Sequence, residues 1–404
     1  MNFSGIPSAG EHDRPLHSGS GHDRFHREQP KIKILFLMDK LAPGGTQNNI
    51  LEILNRLDPL RFDCRLAVFG LGAEARWFLE KSKIVPIVLP VRRAYGMSGF
   101  KAFMKLCAIM RREKFDWVQT HFLQAEMLGI PAARLAGRST RIAVTRRDQG
   151  FWRTPRQLRL SAWLARAADV VLCNSEAVRS SVLQLEGVPK AKTAVIRNGV
   201  DTQAFCPSRE FRMEARQAFK LQEGEIAVLT VSNMRHEVKG YQTLIEAAGH
   251  VLSVNPQVRF IFAGDGPLRP EYERLADEAG SRGRIIFAGT SREISRLMNA
   301  ADVVCQPSYS EGFSNTLLEA MACAKPVVAC SAGGNTEVLE DSVQGLLVPP
   351  RDADALAQAI LRLASDSAFR ESLGRAAREK VSADFSMHEM MRNYANFYAS
   401  GDAL

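Results

Sequence analysis

Between Val303 and Glu337 the chain switches hydrophobic period twice, and no other feature restricts its possible folds as strongly. Val303 and Val304 end an apolar run that reads as a strand, Pro307, Ser308 and Ser310 break it, and Glu311-Gly312 makes a turn. From Ser314, a good N-cap residue, Leu317, Leu318, Met321 and Ala322 fall on one stripe at helical spacing. Pro326-Val327-Val328-Ala329 then begins a second strand, and Gly333-Gly334 punctuates the turn after it. Strand, loop, helix and strand in this order build a parallel sheet with its crossover helix.

The same alternation starts at Lys31. IKILFLM is a buried-strand run, and the Leu41–Thr46 loop with Gly44 and Gly45 leads into the amphipathic stretch TQNNILEILNRL. FDCRLAVFG, IVPIVLP, FDWVQTH, RIAVTRRD, DVVLCNS and TAVIRNGVD continue the set, with a helix expected from Gly99 to Lys114. His121 ends the FDWVQTH strand, and Arg146, Arg147 and Asp148 end RIAVTRRD. In open α/β sheets ligands lie beyond such carboxyl ends, so His121 is placed to point into a cleft. The first set closes near Val200. A polar connection over 201–222 with one short helix leads to a second set: EIAVLTVSN, TLIEAAGHVL, QVRFIFAGDGP with Gly264 and Gly266, YERLADEAG, RIIFAGT and SRLMNAAD. The expected class is therefore α/β, with two Rossmann-like doubly wound domains over 31–200 and 201–387 and a last helix at about 388–404. Residues 1–30 are polar, hold His12, His17, His22 and His26, and read as a disordered tail rather than a metal site.

The chemistry is concentrated where the chain switches period. Free N–H groups and the positive dipole end at Ser314, Asn315 and Thr316 favour a bound phosphate. Glu319, in the second turn, is placed to accept hydrogen bonds from the vicinal hydroxyls of a ribose. Glu311, in the loop before, is placed to do so for a sugar beyond the phosphates. Two isolated glutamates would read as solvated surface; the glycine loop, the helix start and the second glycine turn together favour a nucleotide diphosphate sugar.

Glu311 and Glu319, set in PSYSEGFSNTLLEAMACAKPVVA, resemble the signature of the retaining glycosyltransferases of the group 1 or family four type, with the GT-B fold. GGTQNNILEIL, Thr120-His121, IRNGVDTQAF, FAGDGP and GLLVPPRDADALA resemble that family in the same order, over about residues 31–398. The resemblance implies two domains facing a central cleft, the first binding the acceptor and the second the nucleotide sugar, with the last helix crossing back onto the first domain. It implies catalytic roles for His121, on the transferred sugar, for Glu311, and for Lys239, on the donor diphosphate, together with Arg235. The family's arginine stands five or six residues before the lysine, whereas Arg235 stands four before, so either a shortened loop brings it to the same place or the contact is lost. Donor-binding positions are Asn233, Gly264, Gly266, Gly312, Phe313, Ser314, Asn315, Thr316 and Glu319; Gly44 and Gly45 border donor phosphate or acceptor. A fixed cation at the leaving phosphate takes a metal's role, so no metal or other cofactor is expected. Asp352-Ala353-Asp354 reads as a helix cap, not a metal-binding pair.

Charge is unevenly placed. Residues 31–200 carry 29 Lys and Arg against 13 Asp and Glu, while 201–404 carry 21 against 27. A basic half points to an anionic partner. No nucleic-acid motif is visible, and the resemblance implies that the first domain binds a glycan or lipid-linked acceptor, often at an anionic membrane surface. The Gly99–Lys114 stretch mixes Phe100, Phe103, Met104 and Met110 with Lys101, Lys105, Arg111 and Arg112. It fits a helix lying on such a surface and equally a core-packed helix with a solvated basic face. No apolar run reaches the ~18 residues that span a bilayer, and seven scattered cysteines without a CxxC pair point to reduced thiols in the cytoplasm. The expected activity is transfer of a hexose-type sugar from a UDP or GDP donor, in bacterial cell-surface polysaccharide or glycolipid synthesis, at the inner membrane face. A nucleotide-sugar epimerase and a non-catalytic partner subunit on the same fold remain the alternatives.

Overall fold

The computed structural model describes residues 30–401 apart from positions 43, 73–74, 138, 151–152 and 282. The histidine-bearing tail lies outside the described residues. Two parallel sheets form two α/β domains. The first contains β1 (Ile32–Met38), β2 (Phe62–Val68), β3 (Ile87–Val88), β4 (Trp117–His121), β5 (Arg141–Arg146), β6 (Val170–Cys173) and β7 (Thr193–Val195), in the order β3-β2-β1-β4-β5-β6-β7. The second contains β8 (Ile226–Val231), β9 (Val258–Ala263), β10 (Ile285–Gly289), β11 (Val303–Gln306), β12 (Val327–Cys330) and β13 (Gly345–Val348), in the order β10-β9-β8-β11-β12-β13. The strands are short and apolar because helices cover both faces of each sheet, so no face needs a polar alternation.

In both sheets strand order reverses between the first strand and its later neighbour, β1 beside β4 and β8 beside β11. Loops leaving such a reversal diverge to opposite faces and open a crevice between them. The Gly44-Gly45 loop follows β1 and His121 ends β4, paired with Met38 of β1. The loop through Lys239 follows β8, and the loop through Glu311 follows β11. Every predicted catalytic side chain thus lies at one of the two switch points.

The chain crosses back at its end, as the resemblance implies. The helix Met387–Ser400 buries Met387, Met390, Tyr394, Phe397 and Tyr398 in the same cluster as Ile34, Phe36 and Trp117 of the first sheet. The Trp117 indole N–H donates to the Tyr398 carbonyl at 3.1 Å, and its ring lies 4.9 Å from that of Phe397. Each such apolar side chain contributes roughly 1.5–3 kcal/mol on burial. A Val200–Ser386 bridge holds the crossover against the first connection between the domains.

The helix expected from Gly99 runs over Met97–Glu113. Ala102, Leu106, Cys107, Ile109 and Met110 are buried against the sheet, while Met97, Phe100, Lys101, Met104, Lys105, Arg111 and Arg112 are exposed. The helix is core-packed and still presents apolar residues beside basic ones on its outer face. Asp352 caps the helix Ala353–Ser365, its carboxylate accepting from the Ala355 N–H at 2.8 Å, and Asp354 pairs with His250.

Candidate active site in the interdomain cleft

The helix Asn315–Ala322 is the centre of the cleft. Ser314 caps it, its hydroxyl accepting from the Leu317 N–H at 3.3 Å, and Thr316 is held to the Val231 carbonyl at 3.2 Å. Phe313 turns inward, 5% exposed and packed on Phe385, so only its backbone faces the cleft loop. Lys239 ends a single 3-10 turn and pairs with Glu311 at 2.9 Å, and Gln306 donates to the same carboxylate oxygen at 3.3 Å. The predicted phosphate cation and the predicted sugar carboxylate are therefore neighbours in front of the helix start. Glu319 differs: its carboxyl makes no hydrogen bond or ion pair among the described residues, and burial pushes it up to about 8. It lines a cavity of about 490 Å³ between the domains.

Glycines explain how the loops come so close. Gly240 adopts φ 72°, and a Cβ there would lie 2.0 Å from the Pro307 carbonyl oxygen. Gly264 and Gly266 do the same for the loop after β9, where Cβ atoms would lie 1.8 Å from the Ser232 oxygen and 2.3 Å from the Met234 oxygen. These two glycines press FAGDGP against the loop that carries Asn233 and Arg235. Asn233 is exposed and accepts from the Arg235 N–H at 3.3 Å, and Arg235 is itself exposed.

The first domain meets this site directly. A Cβ on Gly312 would lie 2.3 Å from the Arg147 carbonyl oxygen, and one on Gly45 would lie 3.5 Å from the Asn315 side chain. Arg147 donates to Asn198 at 2.6 Å and Asn198 donates to Asn315 at 2.7 Å, a relay from the end of β5 to the helix start. Ser310 donates to Gln149 at 2.6 Å, and Glu337 accepts from the Ala177 N–H at 2.8 Å and from Arg197 at 3.2 Å. Asn198, Gln149 and Glu337 carry no sequence signal of this role, because contacts between distant segments leave no period or spacing behind.

His121 is 1% exposed, and both ring nitrogens are engaged within the protein. Thr145 donates its hydroxyl hydrogen to the Thr120 carbonyl at 2.9 Å, so at 3.0 Å it can only accept, from His121 Nδ1–H. Nε2 then accepts from the Gln119 amide at 3.1 Å, and that amide's oxygen accepts from Tyr398 at 2.6 Å. Burial first, and Arg147 second, drive the imidazole down to about 3, so it stays neutral. Its ring borders a small recess with Phe122, Arg147 and Asp148. Phe122, at φ 73°, is in the left-handed region where a bulky side chain is strained. Arg146 serves the fold: it is 1% exposed and lies between Glu126 at 2.5 Å and Glu186 at 2.7 Å. Asp39, after β1, caps the helix Leu123–Ala136 by accepting from the Ala125 N–H at 2.6 Å; burial raises its carboxyl to about 7. Its position after the first parallel strand was the available signal.

Two facing parallel-sheet domains with this cleft define a GT-B architecture. The chain matches the glycosyl transferases group 1 family over residues 211–380 and glycosyltransferase family 4 over residues 43–204, and it belongs to the group 1 glycosyltransferases. It is 35% identical over 224 residues to a D-inositol 3-phosphate glycosyltransferase of Kribbella flavida, covering 53% of this chain and 52% of that one. The match thus spans about half the length of that relative. It is 23% identical to the Escherichia coli UDP-Gal:alpha-D-GlcNAc-diphosphoundecaprenol alpha-1,3-galactosyltransferase, covering 91% of this chain and 97% of that one. Among solved structures, Anabaena HepE in complex with UDP and glucose superposes with a TM-score of 0.82 at 27% identity, covering 91% of this chain and all of the other.

Proposed function

We propose that the chain is a retaining glycosyltransferase that moves a sugar from a nucleoside diphosphate sugar to a hydroxyl of a glycan or lipid-linked glycan. The observation that carries this reading is the convergence of Lys239, Glu311 and the free start of the helix Asn315–Ala322 at the mouth of the interdomain cleft. The acceptor oxygen forms a bond to the anomeric carbon on the face that the diphosphate leaves. The bond from that carbon to the phosphate oxygen breaks, and the acceptor proton passes to the departing phosphate. Charge grows on that phosphate as the bond breaks, where the Lys239 ammonium and the helix N–H groups stabilise it. His121, neutral and bonded at both nitrogens, shapes the sugar side of the cleft without exchanging a proton.

The HepE complex with UDP and glucose and the galactosyltransferase acting on a diphosphoundecaprenol-linked sugar support a UDP-type donor and a lipid-linked acceptor. The outer face of the Met97–Glu113 helix supports a peripheral station on an anionic membrane. The test is incubation with UDP-, GDP- and ADP-sugars and a bacterial membrane extract. Transfer with the donor's anomeric configuration kept, and unchanged by exhaustive EDTA, is expected. Epimer formation without transfer, an inverted product, or loss with EDTA and rescue by manganese would overturn the corresponding part.

A further inference from the structure

Between β13 and the helix Ala353–Ser365 the chain reverses through Pro349, Pro350 and Arg351. Proline fixes its own φ and has no N–H to give, and Asp352 is committed to capping the helix. Arg351 takes up the reversal at φ 65°, in the left-handed region that glycine enters freely and a residue with a Cβ enters at a cost. A glycine would close this turn with less strain, so the arginine side chain calls for an account. It is exposed and makes no ion pair among the described residues, and its guanidinium lies over the ring of Tyr309, 4.7 Å from the centroid. Tyr309 follows β11, and its N–H donates to the Val238 carbonyl at 2.8 Å. Its hydroxyl lies 2.6 Å from that of Thr243, which is buried in the first turn of the helix Tyr241–Val254. Val238 directly precedes Lys239, and Glu311 stands two residues beyond Tyr309. The loops of Lys239 and Glu311 are therefore joined at Tyr309, and Arg351 covers that joint from the end of a third strand.

We propose that Arg351 is a positioning residue for the transfer: through Tyr309 it keeps the Lys239 and Glu311 loops at a fixed spacing in front of the helix Asn315–Ala322. This rests on the roles given to Lys239 and Glu311 above. The guanidinium is attracted to the face of the ring, and the Thr243 contact pins the hydroxyl end, so the side chain is held at two points and its backbone with it. Lys239 pairs with Glu311 at 2.9 Å, and transfer needs both at once, one at the departing phosphate and one at the sugar. Small displacements of such groups cost rate more than binding, because a bound nucleotide tolerates a shift that the reacting geometry does not. A cation that served only its own turn would make turnover follow stability. A positioning cation separates the two, since the glycine that relaxes the turn also removes the brace.

The experiment compares the full chain with Arg351→Gly, Arg351→Ala, Arg351→Lys, Tyr309→Leu and the double variant of Tyr309→Leu with Arg351→Ala. It measures kcat and donor KM for transfer with a membrane extract, UDP and GDP affinity by calorimetry, Tm, and amide hydrogen exchange over residues 236–240 and 305–312. Arg351→Gly and Arg351→Ala should both lower kcat about 2- to 5-fold, the range of an exposed cation over a ring, with donor KM and nucleotide affinity unchanged. Arg351→Gly should melt above Arg351→Ala and yet be as slow, and Arg351→Lys should recover most of the rate. Exchange in both segments should quicken in the Gly and Ala variants and stay at the wild-type rate in Arg351→Lys. In the Tyr309→Leu background Arg351→Ala should cost nothing further. If Arg351→Gly turns over as the wild type does, or kcat follows Tm across the set, Arg351 serves only its turn while the reading of the reaction survives. An equal loss from Arg351→Ala with and without Tyr309 would likewise overturn the inference. If the wild type transfers no sugar from any nucleotide donor, the roles of Lys239 and Glu311 fall and take this inference with them.

Discussion

Glu311 and Glu319 belong to one motif but occupy opposite electrostatic settings. Glu311 shares its charge with Lys239, whereas Glu319 makes no ion pair among the described residues and burial holds its carboxyl near 8. Between about 4.5 and 8 the folded protein therefore keeps a proton that the unfolded chain has lost, so Glu319 lowers stability as pH rises through that window. Vicinal hydroxyls donate best to the ionised form. Nucleotide binding at pH 7 should then release protons, and affinity should rise as pH climbs toward 8 and level off above it. Calorimetry in two buffers of different ionisation enthalpy measures this directly, and Glu319→Gln should abolish the buffer dependence. The same substitution should weaken binding, since a charged hydrogen bond is worth about 1.5–3 kcal/mol. Glu311→Ala should cut turnover while leaving nucleotide affinity nearly intact, because its proposed partner is the sugar. Equal proton release in wild type and Glu319→Gln would remove Glu319 from the ribose.

At the scale of elements, two glycines separate folding from closure. Gly240 lies wholly within the second domain at φ 72°, against the Pro307 carbonyl, so Gly240→Ala forces both a strained backbone and a clash. It should cost about 1–3 kcal/mol and lower the Tm. Gly312 touches the other domain, at Arg147, so Gly312→Ala can be relieved by a wider cleft. Its Tm should stay near the wild type's while turnover falls; calorimetry beside the transfer assay checks the pair, and a Tm drop for Gly312→Ala as large as for Gly240→Ala would refute the distinction. Much of this scale was legible in the chain. Short apolar runs alternating with amphipathic stretches specify parallel sheets, and the Ser314 cap and the Lys239 and Glu311 loops lie where the patterns change. The helix assigned to Gly99–Lys114 begins two residues earlier, and periodicity could not say which of its apolar residues face the sheet: Met110 does and Phe100 does not. Nor could it show that the glycines of FAGDGP serve loop-to-loop approach, or that His121 is bonded on both sides, because those facts depend on segments far apart in the chain.

Across the whole molecule, the charge division and the outer face of the Met97–Glu113 helix point the same way. Among the described residues no helix is long and apolar enough to cross a membrane. Tyr95, Met97, Phe100 and Met104 are exposed by 80, 71, 60 and 52%, and Lys101, Lys105, Arg111 and Arg112 share the same exposed stripe. Isolated exposed apolar residues need no explanation, but four on one edge framed by cations match an interfacial helix. Each Lys or Arg near an anionic leaflet contributes about 1 kcal/mol, and the attraction fades within a Debye length. The protein should therefore co-sediment with phosphatidylglycerol vesicles at low salt, ignore phosphatidylcholine vesicles, and dissociate steeply as salt rises. Replacing Lys101, Lys105, Arg111 and Arg112 with Ser should abolish the salt-sensitive part. Phe100→Ser with Met104→Ser should remove what persists at high salt. Neither set should change nucleotide affinity, since the exposed stripe lies outside the lining of the donor cavity. If the wild type stays in the supernatant with acidic vesicles at low salt, the basic domain serves a water-borne glycan acceptor instead of a lipid-linked one.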